Sequence, residues 1–260
     1  MTTIAILSDI HGNPIALDAV LEDIRKRGGA EQYWILGDLA AIGHDPIGTL
    51  EKLARLPDAM FVRGNTDRYL TTGERPGPTI EQCAANPVLW PACVQMAGSL
   101  SWTQGAITAS GWRDWLASLP LEYRTVLPDG TRVLCVHAVP GRDASSGLYP
   151  AATQKDLRRM ASDCDADLLL VGHTHWAMDV TVDGVRLVNS GSVSNPYPPD
   201  LRASYVTLEA DETGTRLQHH RVSYDHQAVI EALQNINHPA ADYIAGHMRG
   251  ENLPHWSRAG

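Results

Sequence analysis

The sequence predicts an α/β domain with a parallel sheet in its first half, and three observations carry that prediction. Five apolar runs, at 4–7, 33–36, 60–62, 133–136 and 168–171, each end in polar residues. Helical segments separate the first three runs. After residue 175, strands are spaced only by short turns. A short apolar run bounded by turn signals reads as a buried strand, and here each delivers polar side chains at its C-terminal end.

The elements follow in order. Strand 4–7 leads into Ser8-Asp9. Residues 14–27 open with Pro14 at a first helical position, place Leu17, Val20, Leu21 and Ile24 on one face, and stop at Gly28-Gly29. Strand 33–36 delivers Gly37-Asp38, a helix over 46–56 turns Ile47, Leu50 and Leu53 inward, and strand 60–62 delivers Arg63-Gly64-Asn65. Such a β-α-β-α-β order makes parallel strands with helices on the sheet face. Residues 71–120 break the rhythm, being rich in Pro and Gly at first and then carrying Trp90, Trp102, Trp112 and Trp115. They read as helices whose tryptophans pack on the core, or as a cap, since excursions at strand ends build pockets in open α/β sheets. Strand 133–136 precedes His137, and 168–171 precedes Gly172-His173. Strands 176–182 and 185–188 around Asp183-Gly184, then 203–208 and 216–222 around a turn at 211–214, predict an antiparallel second half. A C-terminal helical segment occupies 225–260, its first helix at 225–235 with Val229, Ile230 and Leu233 on one side.

Of 260 residues, 43% are hydrophobic and 20% charged, which suits one domain spanning 1–260 and excludes a disordered chain. Lys and Arg total 21 against 30 Asp and Glu, a net charge of −9 that disfavours stable binding to nucleic acid or anionic lipid. The four cysteines form no CxxC pair and read as reduced thiols. The N-terminus lacks a signal-peptide pattern, and no run approaches the ~20 apolar residues of a membrane span, so a soluble cytoplasmic protein is expected.

The chemistry lies at the strand ends. Asp9 and His11 stand at i and i+2, which in extended backbone puts both side chains on one face, and His173 and His175 repeat the spacing. Asp38, Asn65 and His137 each end a strand of their own. Seven oxygen and nitrogen donors with no thiolate suit two hard or borderline divalent cations better than one structural zinc. A single His after a strand is more often a hydrogen-bonded core residue; five successive strand ends carrying donors are not explained that way.

Ser8-Asp9-Ile10-His11-Gly12-Asn13, Gly37-Asp38, Gly64-Asn65-Thr66-Asp67, His137 and Gly172-His173-Thr174-His175, in this order, resemble the calcineurin-like metallophosphoesterase superfamily. Within it the chain is similar to the bacterial YfcE-like phosphodiesterase branch, through Gly43-His44-Asp45-Pro46, the stretch 188–193 and Tyr224-Asp225. The resemblance implies a four-layer αββα sandwich of two mixed sheets. It implies that Asp9, His11 and His175 hold one ion, that Asn65, His137 and His173 hold a second, and that Asp38 bridges both. Manganese is the expected metal, with iron, zinc, nickel and cobalt as alternatives. Two such ions sharing a water lower its pKa from about 15.7 to about 7, making hydroxide the expected nucleophile.

One departure shapes the expected chemistry. Many relatives carry His where this chain has Thr66, and that His is thought to protonate the departing oxygen. A hydroxyl is far too weak an acid, and general acid catalysis is worth ~10²–10⁴ in rate. Poor leaving groups are expected to suffer most, and the resemblance to YfcE-like relatives, associated with phosphodiesterase activity on activated esters, implies phosphodiesters, nucleotides among them, over phosphomonoesters or phosphoproteins. His44 is a candidate replacement acid beside the catalytic Asp38 and Asn65, Arg63, Arg68 and Arg142 are candidate sources of positive charge, and Asp67 has no evident role without the missing histidine. The contrasting expectation is a non-catalytic scaffold, a role this fold also takes in eukaryotic retromer. A homodimer is the default oligomer by base rate.

Overall fold

The structure, a computed structural model, describes residues 1–258. Two mixed five-stranded sheets form its centre. The first runs β10 (Gly214–Val222), β9 (Ala203–Asp211), β1 (Thr2–Leu7), β2 (Gln32–Ile35) and β3 (Ala59–Phe61). The second runs β4 (Glu122–Val126), β5 (Arg132–Val136), β6 (Leu168–Val171), β8 (Val185–Asn189) and β7 (Met178–Val182). Strands β1, β2 and β3 are parallel, as are β5, β6 and β8, with antiparallel strands at the margins.

Alternation along each central strand builds the layers. Ile4 and Ile6 of β1, Val133 and Cys135 of β5, and Leu168 and Leu170 of β6 point between the sheets into one apolar cluster with Trp34 and Val206. The intervening residues face helices. Ala5 and Leu7 meet α1 (Pro14–Lys26) and α2 (Pro46–Leu53), while Leu134, Val136, Leu169 and Val171 meet Leu157, Met160 and Cys164 of α7 (Gln154–Cys164). Both faces of both sheets are thus covered, which is why the strands read as unbroken apolar runs. The expected four-layer αββα sandwich is the architecture observed.

The second half is not simply antiparallel. Strand β8 lies parallel to β6, and β9 returns across the molecule to pair with β1. The hairpin grammar was legible, but the partner of each hairpin depends on packing between distant segments. Residues 71–120 form α3's last turns (Asn65–Thr72), then α4 (Ile80–Ala85), α5 (Trp90–Ala109) and α6 (Arg113–Ala117). Leu100, Ile107 and Leu116 join the first core, and Trp112 and Trp115 pack against it and on each other, 5.3 Å between ring centroids, whereas Trp90, expected on the core, is exposed. The C-terminal segment supplies α8 (His226–Asn235) and α9 (Ala241–Met248), with a 3-10 turn at His255–Arg258. Among the described residues, no helix is long and apolar enough to cross a membrane.

Candidate metal centre

Sheet register places the site. Beyond β1 and β2 the chains stay bonded as they turn, Asp9 N donating to the Gly37 carbonyl at 3.1 Å and His11 N to that of Asp38 at 3.0 Å. The second sheet does the same where Gly172 N donates to the His137 carbonyl at 2.9 Å. The two edges are then tied together: His137 Nδ1 donates to the Leu36 carbonyl at 2.6 Å, and His173 N donates to Asp9 Oδ2 at 2.9 Å.

The i, i+2 pairs converge by a route other than extended backbone. Asp9, His11, Asp38, His173 and His175 all have left-handed φ, between 49° and 70°. Such a conformation costs roughly 1–2 kcal/mol per non-glycine residue, and its concentration at a site marks strain held for function. Glycine serves the close approaches: a Cβ on Gly64 would fall on the carboxylate and backbone of Asp38, and one on Gly172 on Ser8 and the Asp9 carboxylate.

All seven donors meet in one pocket. His175 Nε2 lies 3.2 Å from Asp9 Oδ1 and His11 Nε2 lies 3.8 Å from both Asp9 Oδ1 and Asp38 Oδ2. His137 Nε2 lies 3.5 Å from Asp38 Oδ2 and 3.1 Å from Asn65 Oδ1, which is 2.8 Å from His173 Nδ1. Each imidazole has spent its other nitrogen as a donor to a backbone carbonyl. The acceptors are Ala41 for His11 at 2.9 Å, Leu36 for His137 at 2.6 Å, Ser145 for His173 at 2.8 Å and Asn195 for His175 at 2.6 Å. These bonds fix the tautomers, as carbonyl partners do for metal-ligating histidines. In the neutral imidazoles the inward nitrogens carry lone pairs, and they face one another or carboxylates: His11 Nε2 stands 3.1 Å from His175 Nε2. Asp9 Oδ1 is buried with no hydrogen-bond partner. A pocket where buried carboxylates and inward imidazole nitrogens converge fits cations. Two candidate groups of metal-ligating residues emerge, Asp9 with His11 and His175, and Asp9 with Asp38 and His137.

Electrostatics agree. Burial opposes charge on every group here, yet His137 holds the Asp38 carboxyl below the usual carboxylate range, and Asp38 in turn lifts His137 to about 10. Burial likewise opposes the charge on His175, which Asp9 raises, while burial and the neighbouring His137 press His173 down to about 4. The carboxylates thus favour charge on His137 and His175, whereas His11 and His173 are shifted the other way, burial being the largest cause.

Asp67, which had no evident role in the sequence, is the girder of the site. Its carboxylate accepts from the backbone N–H groups of Asp38 at 2.9 Å, Leu39 at 3.0 Å and Gly64 at 2.8 Å. Burial and the charge of Asp38 push its carboxyl up to about 6. Ser192 plays a similar part from the second sheet, donating to the Asp9 carbonyl at 2.9 Å and accepting from Asn195 N at 2.9 Å.

Other expected residues fall elsewhere. His44 is absent from the residues lining the cleft, and it lies near His238 of the C-terminal segment, whose imidazole it influences. Arg63 and Arg68 are both committed to Asp143, at 2.9 and 3.0 Å. Arg142 lines a separate 140 Å³ cavity with Asp156 and Arg159. The cleft over the donors, also about 140 Å³, includes Thr66, Tyr197, Tyr243 and His247 but no residue of 71–120. Sequence reading missed the last three because none sits in a motif.

A two-sheet sandwich whose facing edges gather buried carboxylates and imidazoles presents a candidate metal centre. The chain belongs to the calcineurin-like phosphoesterase superfamily, whose domain matches residues 2–213. It is 28% identical over 246 residues to an uncharacterized protein of Methanocaldococcus jannaschii, spanning 88% of this chain and 91% of that one. Among solved structures it is similar to a hypothetical protein of Pyrococcus horikoshii, with a TM-score of 0.78, 18% identity, and 95% and 98% of the two chains covered. It is also similar to a metallophosphoesterase of Sphaerobacter thermophilus, with a TM-score of 0.74, 25% identity, and 96% and 100% covered.

Proposed function

We propose that the protein is a dinuclear metal-dependent phosphoesterase that prefers phosphodiesters of small molecules, close to the YfcE-like branch. The observation that carries this reading is the convergence of buried carboxylates and inward imidazole nitrogens, most plainly His11 Nε2 and His175 Nε2 at 3.1 Å from each other. Asp9, His11 and His175 would hold one ion, Asn65, His137 and His173 the other, and Asp38 both. Manganese suits this set of oxygen and nitrogen donors. When bound, the ions would supply Lewis-acid activation of water and neutralisation of phosphoryl charge.

The protein's own groups do the rest. Asp38, anchored by Asp67 from behind, keeps its Oδ2 directed at His137 while Oδ1 accepts from Thr66 N at 2.9 Å. The backbone-bonded imidazoles keep their lone pairs inward without reorganising, which is the preorganisation that electrostatic catalysis requires. Thr66 at the cleft wall has a hydroxyl and cannot protonate a poor leaving group. Tyr197 and Tyr243 give the cleft aromatic walls, which suits a nucleotide-like ester. The whole of 1–260 is read as one phosphoesterase unit, with 71–120 as scaffold on the first core.

Matched mono- and diesters with leaving groups of graded pKa test the reading. Manganese-loaded protein should hydrolyse the activated diester fastest, with a rate that falls steeply as the leaving group becomes more basic. A monoester preference that persists for poor leaving groups would overturn the diester assignment, and no hydrolysis of either would overturn the enzymatic one.

A further inference from the structure

His247 is a buried histidine that the metal set does not use. It is 3% exposed, and its Nδ1 has no hydrogen-bond partner. Its ring stands 6.4 Å from that of His175, 5.7 Å from Tyr197 and 5.4 Å from Tyr243, and it lines the same cleft as Asp38 and Thr66. Thr66 Oγ1, across that cleft, is also buried without a partner. Buried polar atoms are nearly always paired, so two unspent ones, on two residues that line one cleft, point to a ligand that pairs them.

The helix that carries His247 is held firmly. Glu251 N and Asn252 N both bond to the Gly246 carbonyl, at 2.8 and 3.3 Å, and Asn252 Nδ2 donates to the Tyr243 carbonyl at 2.8 Å. Beyond it, Trp256 stacks on Tyr149 at 4.9 Å and meets Trp176 and Tyr197 edge-on at 6.2 and 6.0 Å. The C-terminal segment is thereby pinned beside the second sheet, with α9 forming one wall of the cleft. The superfamily match ends at 213, so this wall comes from the stretch of chain outside it.

We propose that His247 is a substrate-binding residue, its imidazole hydrogen-bonding an oxygen of the phosphoester seated between α9 and the Asp38 side of the cleft. It rests on the phosphoester reading above and makes the C-terminal segment part of the site. Neither ring nitrogen needs to change its protonation for this role, since a neutral imidazole offers both a donor and an acceptor.

The test is binding of inorganic phosphate to manganese-loaded protein by calorimetry, with metal content measured on each preparation. His247→Ala should weaken phosphate binding about tenfold and raise KM for a diester by a similar factor, the loss expected for one hydrogen bond to a charged group. Metal content and melting temperature should stay those of the parent. His247→Asn, which keeps a donor and an acceptor, should recover most of the affinity. Parental phosphate affinity in His247→Ala would overturn the proposal, as would loss of metal in both variants. If the parent itself binds neither metal nor phosphate, the phosphoester reading fails and this proposal fails with it.

Discussion

Four imidazoles in the pocket each give one nitrogen to a backbone carbonyl, and that single choice decides what the other nitrogen can do. Facing carboxylates, the inner nitrogens of His137 and His175 are biased toward a positive charge, a proton or a metal. In the metal-free protein His137 sits at about 10, above its ordinary 6.5, because Asp38 outweighs the cost of burial. The stability contributed by that protonated pair is complete below pH 6.5 and is lost as pH rises through about 10. A cation must evict the proton. Metal affinity should therefore rise with pH between about 6 and 8, with release of at least one proton per chain, measured by calorimetry in buffers of different ionisation enthalpy. A flat affinity with no proton release would contradict this. At this scale the ligand types were legible in the sequence, because Asp, Asn and His after apolar runs are conspicuous. Asp67 and His247 were not, since their roles depend on which backbone N–H or which cleft each meets in space.

Strand ends are the working element. The turns after β1, β2 and β6 are left-handed at Asp9, Asp38 and His173, and Gly64 and Gly172 let neighbouring carboxylates come close. Asp67 ties the turn after β2 to the start of α3 through three backbone donors, of which the amide of an Asn could satisfy only part. Asp67→Asn should reduce metal affinity about 10–100-fold, the usual cost of losing a supporting partner, and destabilise the fold by about 1–3 kcal/mol. Metal titration and denaturant unfolding check the two effects, and unchanged metal affinity would remove Asp67 from this role. Elements differed in legibility for physical reasons. Helices α1 and α2 announce themselves by Pro at the start and an apolar stripe, whereas β4 is an edge strand of mixed exposure, Glu122 to Val126, with no apolar run to betray it. The tryptophan-rich helices showed their residues plainly, but only packing decides that they face the core and not the cleft.

At the scale of the molecule, two covered sheets bring distant segments to one edge, and the cost is a pair of buried carboxylates whose charges oppose each other. Asp9 and Asp38 hold their charge through the surrounding imidazoles. Binding of divalent cations to the native state alone should raise Tm. At a free concentration a hundredfold above Kd the gain is ~2.7 kcal/mol, or roughly 5–11 °C for a chain of this size, reversed by a chelator. A Tm indifferent to manganese and zinc would contradict that coupling.

The most direct measurement is anomalous diffraction from crystals grown with manganese. Two peaks are predicted, one beside Asp9, His11 and His175 and one beside Asn65, His137 and His173, with the Asp38 carboxylate between them. Absence of both peaks at saturating metal, or metal bound away from these side chains, would contradict the account.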